Sequence, residues 1–280
     1  MPQSVSMATD QTYRERSPAQ ELVRHLSCVW VQEVSPRAEP YNHRTVPNGG
    51  VEISCAVGSV PRLAGPQTGP TLEVLAPGTT VVGVRFRPGA APSVLGMPAT
   101  ELVDLAVGVD ELWGDAAIAL GERIAASASP REAAALLERE VFARAIETEE
   151  DPDPIAAEAV RHLLPWRVNE VTSLTDALYI SERQLRRRCL AAIGLAPKAL
   201  HRMLRFQGFL ALAGQREHPS AELAALAAEA GYADQSHLTR ESVRLAGLTP
   251  HALLRESEIN CGPAHDHRAS YAPLLGSRAR

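Results

Sequence analysis

Residues 185–200 read LRRRCLAAIGLAPKAL, and residues 238–253 read LTRESVRLAGLTPHAL. The two stretches share Leu, Arg, Gly, Leu, Pro, Ala and Leu in the same order and at the same spacing, whereas composition alone predicts roughly one or two identities. Each stretch follows a short apolar segment and a residue that can cap a helix, Ser181 in the first copy and Asp234 in the second. The repeat predicts one helix-turn-helix unit used twice.

Positive charge is concentrated in the first copy. Residues 181–205 hold seven basic side chains against Glu182 alone, although the whole chain has 28 Lys+Arg against 33 Asp+Glu and a net charge of −5. Four arginines within six residues would repel one another without an anion to neutralise them. A solvated helix face would explain a single arginine, but the duplicated unit favours DNA. We therefore expect contacts to DNA from Arg183, Arg186, Arg187 and Arg188, with Arg188 placed for phosphate.

The corresponding helix of the second copy is weaker in charge. Arg240 and Arg244 are balanced there by Asp234 and Glu241. Polar side chains at the start and on the outward face of this helix are suited to reading bases or phosphate. These candidates are Gln235, Ser236, Thr239 and Arg240.

The rest of the chain predicts a second, different domain. Residues 22–86 are broken by Gly and Pro into short β-branched stretches, which indicate a barrel or a sandwich. After Trp113 the apolar residues recur at helical spacing. An acidic run with two prolines at residues 147–154 marks a domain boundary.

We therefore expect an α+β chain with two domains. A β-rich domain with trailing helices occupies residues 1–150, and an all-α domain occupies residues 151–256. Within the second domain, helix-turn-helix units lie at about residues 170–194 and 220–247. Residues 257–280 have no periodicity and are expected to form a flexible tail.

Other functional classes find little support in the sequence. The four cysteines are far apart and include no C-x-x-C pair, so neither a disulfide framework nor a zinc site is expected. No catalytic or nucleotide-binding motif occurs, so we predict no enzyme activity and no cofactor. The chain has no signal peptide and no membrane-spanning stretch, which predicts a cytoplasmic protein.

Three weaker alternatives concern the first domain. His25 and His43 with Glu52 could bind a metal, but their spacing is poor. A DNA-repair methyl acceptor would need an activated thiol, whereas Cys28 and Cys55 lie in apolar contexts typical of structural thiols. Arg85 and Arg87 fall on one face of a predicted strand, where they either line a pocket for an acid or lie on the surface.

The second domain resembles the DNA-binding domain of the AraC/XylS family of bacterial transcription regulators. The resemblance is carried by GYADQSHLTR at residues 231–240 and GLTP at residues 247–250, and it covers about residues 154–256. It implies that Arg183, Arg186 and Arg187 occupy base-reading positions of the first recognition helix, and that Gln235, Ser236, Thr239 and Arg240 occupy those of the second. The chain departs from the family where phenylalanine is usual, at Cys189, Leu238, Ser242 and Ala246.

The first domain resembles the uncharacterised, cupin-like sensory domain of some regulators in this family. The motifs are VPNGGVEI at residues 46–53, GPQT at 65–68 and GVRFRPGAAP at 83–92. The two resemblances together imply a sequence-specific transcription regulator that binds double-stranded DNA. They imply control by a small-molecule effector or a homodimer, and contact with RNA polymerase if the protein is an activator. The alternative is the same DNA-binding domain joined to an enzymatic or metal-binding cupin-like domain.

Overall fold

The N-terminal part of the chain is β-rich, as predicted. The structure, a computed structural model, describes residues 11–165, 171–260 and 265–276. The strands of this part are β1 Gln11–Arg16, β2 Leu26–Val34, β3 Tyr41–Thr45, β4 Glu52–Ala56, β5 Arg62–Ala64, β6 Thr71–Leu75, β7 Thr80–Phe86 and β8 Ala106–Gly108. Four of them, β2, β4, β6 and β7, contain the β-branched stretches that the sequence indicates.

The strands form one large sheet and a separate ribbon. The sheet has seven strands in the order β8-β5-β4-β7-β2-β1-β9, where β9 is the short strand His265–Asp266 near the C-terminus, and β3 pairs with β6 in the ribbon. The central strand β7 is antiparallel to β2 and to β4. Because side chains alternate along a strand, Val82 and Val84 of β7 enter the core on one face, while Gly83 and Arg85 point to the other.

Four helices follow the sheet strands in the N-terminal part. They are α1 Pro92–Leu95, α2 Asp110–Trp113, α3 Asp115–Ala125 and α4 Pro130–Thr148. Ser129 caps α4, since its side chain accepts a hydrogen bond from the backbone of Glu132. The apolar stripe of α4, which includes Leu137 and Val141, is buried in the core of its own sheet, while Phe142 on the outer side is 37% exposed.

The C-terminal part is helical in its described residues, apart from a two-residue strand. Its helices are α5 Pro154–His162, α6 Val171–Leu178, α7 Glu182–Ile193, α8 Pro197–Ala213, α9 Leu223–Glu229, α10 Gln235–Ala246, α11 Pro250–Asn260 and α12 Arg268–Gly276. The long helix α8 lies at the centre, where Phe206 and Phe209 are fully buried and their rings are 5.6 Å apart. The two-domain α+β fold class is therefore confirmed, while the domain limits at residues 150 and 151 remain a proposal.

The C-terminal segment, which the sequence predicts to be a flexible tail, contains a short strand and a helix where the structure describes it. Helix α11 continues to Asn260, and β9 His265–Asp266 pairs in parallel with the sheet edge at β1. The backbone N–H and the hydroxyl of Ser270 in α12 donate to the Glu15 carboxylate at 2.8 and 2.9 Å. An edge strand has unpaired backbone groups that a short segment can satisfy. Two strand residues are too few to show periodicity in a sequence.

Candidate DNA-binding surface

The first helix-turn-helix unit consists of α6 and α7, which are joined by a turn at Tyr179. Tyr179 has a φ of +52° and is almost fully exposed. Ser181 caps α7, because its hydroxyl oxygen accepts the Gln184 N–H at 3.3 Å and the Gln184 Oε1 accepts the Ser181 N–H at 2.9 Å. This reciprocal capping box sets the first residue of α7 and therefore the direction in which each arginine projects.

Three arginines of α7 form an uncompensated positive surface. Arg183, Arg186 and Arg187 are exposed, and in the described part of the chain no carboxylate pairs with any of them. Leu185 and Cys189 on the opposite side are buried in the domain core. The arginines expected to contact DNA therefore lie on the side of α7 that faces away from the core. Guanidinium groups presented in this way suit an extended anion.

Arg188 has a partner that the sequence did not predict. Its Nη1 donates to the Oδ2 of Asp153 at 2.8 Å, and its side chain is 41% exposed. Asp153 is also the N-cap of α5, where it accepts hydrogen bonds from Ile155 and Ala156. Arg188 therefore ties α7 to α5 and keeps only part of its guanidinium available. The sequence did contain a signal for the start of α5, because Asp153 lies directly before Pro154 and an Asp–Pro pair is typical of a helix start.

The second unit consists of α9 and α10, and its turn lies at Gly231. Gly231 has a φ of +75°, a conformation that glycine adopts readily. Asp234 caps α10 by accepting the N–H of His237 at 2.6 Å. Tyr232 follows the turn and is buried, with its ring 5.2 Å from that of His237 in an edge-on arrangement. This turn begins the GYADQSHLTR motif that carries the family resemblance.

The candidate base-reading residues of α10 differ in accessibility. Gln235, Ser236 and Arg240 are exposed, whereas Thr239 is half-buried. The Thr239 hydroxyl donates to the carbonyl of Gln235 at 2.9 Å. Thr239 can therefore accept a hydrogen bond from a base as it stands, but it can donate to a base only by giving up the bond to Gln235.

Glu241, which reduces the charge of α10 in the sequence, is paired within the domain. Its Oε2 accepts from the Nε of Arg202 on α8 at 2.8 Å. The Arg202–Glu241 pair joins α8 to α10. The exposed positive charge of α10 is therefore that of Arg240 and Arg244, which have no carboxylate partner among the described side chains.

Ser242, which replaces an apolar residue of the related domains, finds a hydrogen-bond partner. It is completely buried, and its hydroxyl donates to the carbonyl of Leu248 at 2.7 Å. A buried hydroxyl with such a partner avoids the penalty of an unsatisfied polar group. In the second unit, the Ser242–Leu248 hydrogen bond therefore takes the place of the apolar packing that phenylalanine would provide in the related domains.

We expect Ser242→Ala to lower the free energy of unfolding by about 1–2 kcal/mol, because the carbonyl of the half-buried Leu248 would lose the donor that the buried Ser242 supplies. Urea denaturation followed by circular dichroism measures the change. Ser236→Ala, at an exposed position on the same helix, is the control and should shift stability by about 0.5 kcal/mol or less. Equal effects of the two substitutions would show that the Ser242 bond contributes nothing.

Comparison with known families agrees with this geometry. Residues 174–256 match a family model described as "Helix-turn-helix domain", and residues 14–108 match one described as "Domain of unknown function (DUF6597)". The C-terminal domain is an AraC-type helix-turn-helix domain. Because such domains bind DNA, the chain is a DNA-binding transcription regulator.

Among solved structures the chain is similar to ToxT from Vibrio cholerae. An apo lysine-to-alanine variant is 12% identical over 86% of this chain and 99% of that chain, with a TM-score of 0.47. A form bound to an unsaturated fatty acid is 12% identical over 87% of this chain and 94% of that chain, with a TM-score of 0.41. No curated protein matches the chain. The assignment of the AraC-type domain rests on the family match and on the geometry of its two units.

The AraC-type domain contacts the β-rich domain at several places, and two of these involve the ends of the recognition helices. Gly194, which ends α7, packs against Ala99 and Val103. The Arg44 guanidinium on β3 donates to both carboxylate oxygens of Glu256 at 2.7 and 3.2 Å and to the Ala246 carbonyl at 3.1 Å. The back of α7 and the end of α10 are therefore both coupled to the first domain.

A cavity of about 1320 Å³ lies between the AraC-type domain and the sheet. Its walls come from the sheet and from α5, α8, α11 and α12. Arg85 in this cavity pairs with Glu52 and with Glu15, the latter at 3.1 Å. Burial by itself would raise the pKa of Glu15, but Arg85 and the bonds from Ser270 lower that pKa overall. The sequence could not predict the cavity, because both domains contribute to it.

Among the described residues, the fold adds no further ligand to the candidate metal residues and leaves the candidate thiols buried. Among the described side chains, no group of three or more His, Cys, Asp or Glu is placed to hold a metal. His25 lies beside Ser93, and His43 lines the cavity. Cys28 and Cys55 are buried, and burial raises the pKa of Cys28 to about 12 and that of Cys55 to about 11. Thiols with such pKa values are poor nucleophiles at neutral pH.

Within the described helices there is no stretch with the length and apolar character of a membrane span.

Proposed function

We propose that the chain is a sequence-specific transcription regulator in which α7 supplies most of the affinity for DNA. The observation that carries this proposal is the trio Arg183, Arg186 and Arg187, which is exposed on a capped helix of a helix-turn-helix unit and has no carboxylate partner among the described residues. Arginine side chains fit the O6 and N7 atoms of guanine in the major groove. Arg188 would reach a phosphate with the donors that Asp153 leaves available.

In this proposal α10 contributes sequence discrimination more than charge. Gln235, Ser236, Thr239 and Arg240 are the proposed contacts, at the start and on the outer face of the helix. The spacer α8 has 17 residues, so it is about 25 Å long. A spacer of that length suits two helices that enter successive major-groove faces about 34 Å apart.

We further propose that the first domain controls DNA binding through a small-molecule effector in the cavity. The support is the position of the cavity, since its walls come from both domains. A ligand there would change how the AraC-type domain is held, provided that it binds the two arrangements with different affinities. A homodimer, contact with RNA polymerase and a cytoplasmic location stay predictions.

The repeat itself provides a matched test, because Arg187 and Arg240 are equivalent residues of the two copies. The duplex is first selected by the wild-type chain from a random library, and its Kd is then measured by fluorescence anisotropy. We expect Arg187→Ala to weaken binding by about tenfold or more, and Arg240→Ala to weaken it less. Equal losses would contradict the dominance of α7, and no sequence preference in the selection would overturn the proposal.

A further inference from the structure

The segment between α4 and α5 holds a carboxylate against the recognition helix α7. This interdomain linker consists of residues 149–153, and Asp153 is its last residue. The Oδ1 of Asp153 accepts the N–H groups of Ile155 and Ala156 at 2.8 and 3.1 Å, and the Oδ2 accepts the Nη1 of Arg188 at 2.8 Å. Both oxygens are therefore engaged, one with the start of α5 and the other with α7.

The position of Asp153 is restrained more strongly than that of the other paired acid of the linker. Pro152 precedes Asp153, Pro154 follows it as the first residue of α5, and each proline fixes its own φ. The Asp153 side chain is 25% exposed, whereas that of Asp151, which pairs with Arg24 of the first domain at 3.3 Å, is 75% exposed. Water and salt therefore screen the Asp153 carboxylate less, and its pair with α7 is the stronger of the two.

Arg188 differs from the other arginines of α7 because of this carboxylate. Arg183, Arg186 and Arg187 are exposed, while Arg188 lies half-buried on the flank of the helix. Within the described residues, the Arg188 side chain makes no hydrogen bond other than the one to Asp153. A phosphate bound by its remaining donors would share one positive charge with the Asp153 carboxylate, and the two negative groups would repel each other.

The second unit makes the opposite arrangement at the equivalent position of the repeat. Glu241 lies 53 residues after Arg188, at the same place in its recognition helix. It pairs with Arg202 of α8 at 2.8 Å, so the recognition helix supplies the acid of that pair. In the first unit the recognition helix supplies the cation and the linker supplies the acid. DNA can therefore compete for the cation of such a pair on α7 but finds none to compete for at this position of α10.

We infer that Asp153 is a positioning residue that limits the affinity for DNA by holding Arg188 away from phosphate. The inference rests on the proposed function and adds a residue that acts through Arg188. In the free protein, the carboxylate directs the guanidinium along the flank of α7. A bound phosphate must share that guanidinium or displace the carboxylate. Because Asp153 belongs to the linker, an arrangement of the first domain that withdraws it would give DNA the full charge of Arg188.

The cap of α5 can be separated from the ion pair by substitution. Asparagine and serine are as effective as aspartate at an N-cap position, and neither carries a charge. Asp153→Asn and Asp153→Ser therefore retain an acceptor for the N–H groups of Ile155 and Ala156 and remove the carboxylate that attracts Arg188.

Fluorescence anisotropy of the full chain with its selected duplex measures the effect on DNA binding. We expect Asp153→Asn and Asp153→Ser each to tighten binding by about three- to tenfold, the effect of one partly exposed ion pair that no longer has to be shared or broken. Asp151→Asn removes the same charge two residues earlier in the linker and is the matched control. It should change Kd by less than about twofold, because its pair is exposed and does not involve α7.

A double-mutant cycle shows whether the gain passes through Arg188. In the Arg188→Ala background, Asp153→Asn should change Kd by less than about twofold. Urea denaturation of the same variants distinguishes competition from a structural role. Competition predicts tighter DNA binding without greater stability, whereas a merely structural Asp153 predicts that its loss lowers both stability and affinity.

Three results would overturn the inference: no tighter binding by either Asp153 variant, an equal gain from Asp151→Asn, or a gain that persists without Arg188. Each of these is measured against the unmodified chain on the same duplex. If the unmodified chain binds its selected duplex and the Asp153 variants bind no more tightly, only this inference fails. If the unmodified chain selects no preferred duplex, the proposed function itself is refuted.

Discussion

Simultaneous replacement of Arg183, Arg186 and Arg187 by alanine is expected to reduce affinity for the selected duplex by about 100-fold or more. Each arginine that contacts a base or phosphate contributes about 1–3 kcal/mol, and about 1.4 kcal/mol corresponds to a factor of ten. The three side chains are exposed and unpaired among the described residues, so the substitution breaks no ion pair within the protein. Anisotropy titrations at several salt concentrations measure both affinity and its salt dependence.

The salt dependence separates direct contacts from a general effect of charge. For each phosphate neutralised, log K falls with log salt with a slope of about 0.9, so the triple variant should lose part of that slope. A control variant with Arg62, Arg131 and Arg139 replaced by alanine removes the same charge from exposed positions of the first domain. An equal loss in the control would mean that net charge, and not the surface of α7, determines affinity. Three lysines in place of the arginines should retain the slope but lose base discrimination.

Gly194→Ala is expected to be the most destabilising methyl addition at the contact between the domains. Gly194 ends α7 with a φ of +78°, and a Cβ there would lie 2.7 Å from the Val103 side chain and 2.9 Å from the carbonyl of Ala99. The left-handed backbone disfavours alanine by about 1–2 kcal/mol, and overpacking adds about 1–3 kcal/mol. We therefore expect a loss of about 2–5 kcal/mol in the free energy of unfolding.

Gly247 is the matched control, since it ends α10 in the same way. Its φ is +72°, but the nearest atoms to an added Cβ are 3.5 Å away on Pro70 and 3.7 Å away on Arg44. Gly247→Ala should therefore lower the free energy of unfolding only by the cost of the left-handed backbone, about 1–2 kcal/mol. Urea denaturation provides the comparison, and limited proteolysis reports whether α7 leaves the first domain. A smaller loss for Gly194→Ala than for Gly247→Ala would contradict the packing of α7 against Ala99.

The two recognition helices illustrate what could be predicted in advance. Arg187 was expected to contact DNA and is exposed in the structure, since helix periodicity and capping act within a few residues and set which side chains face outward. The same reasoning could not foresee the Arg188–Asp153 pair, whose members are 35 residues apart. Nor could it foresee that Ser242, at a position where phenylalanine is usual, donates its hydroxyl to the carbonyl of Leu248.

The amino-acid sequence by itself determined the doubled helix-turn-helix unit, its caps and the outward arginines, because those features depend on spacing within one short stretch of chain. Only the tertiary structure decided which of Arg85 and Arg87 is neutralised and where the C-terminal segment lies. Both depend on Glu15, which meets Arg85 70 residues away and Ser270 255 residues away. Partners separated by such distances leave no periodic trace in a single sequence, and folding alone brings them together.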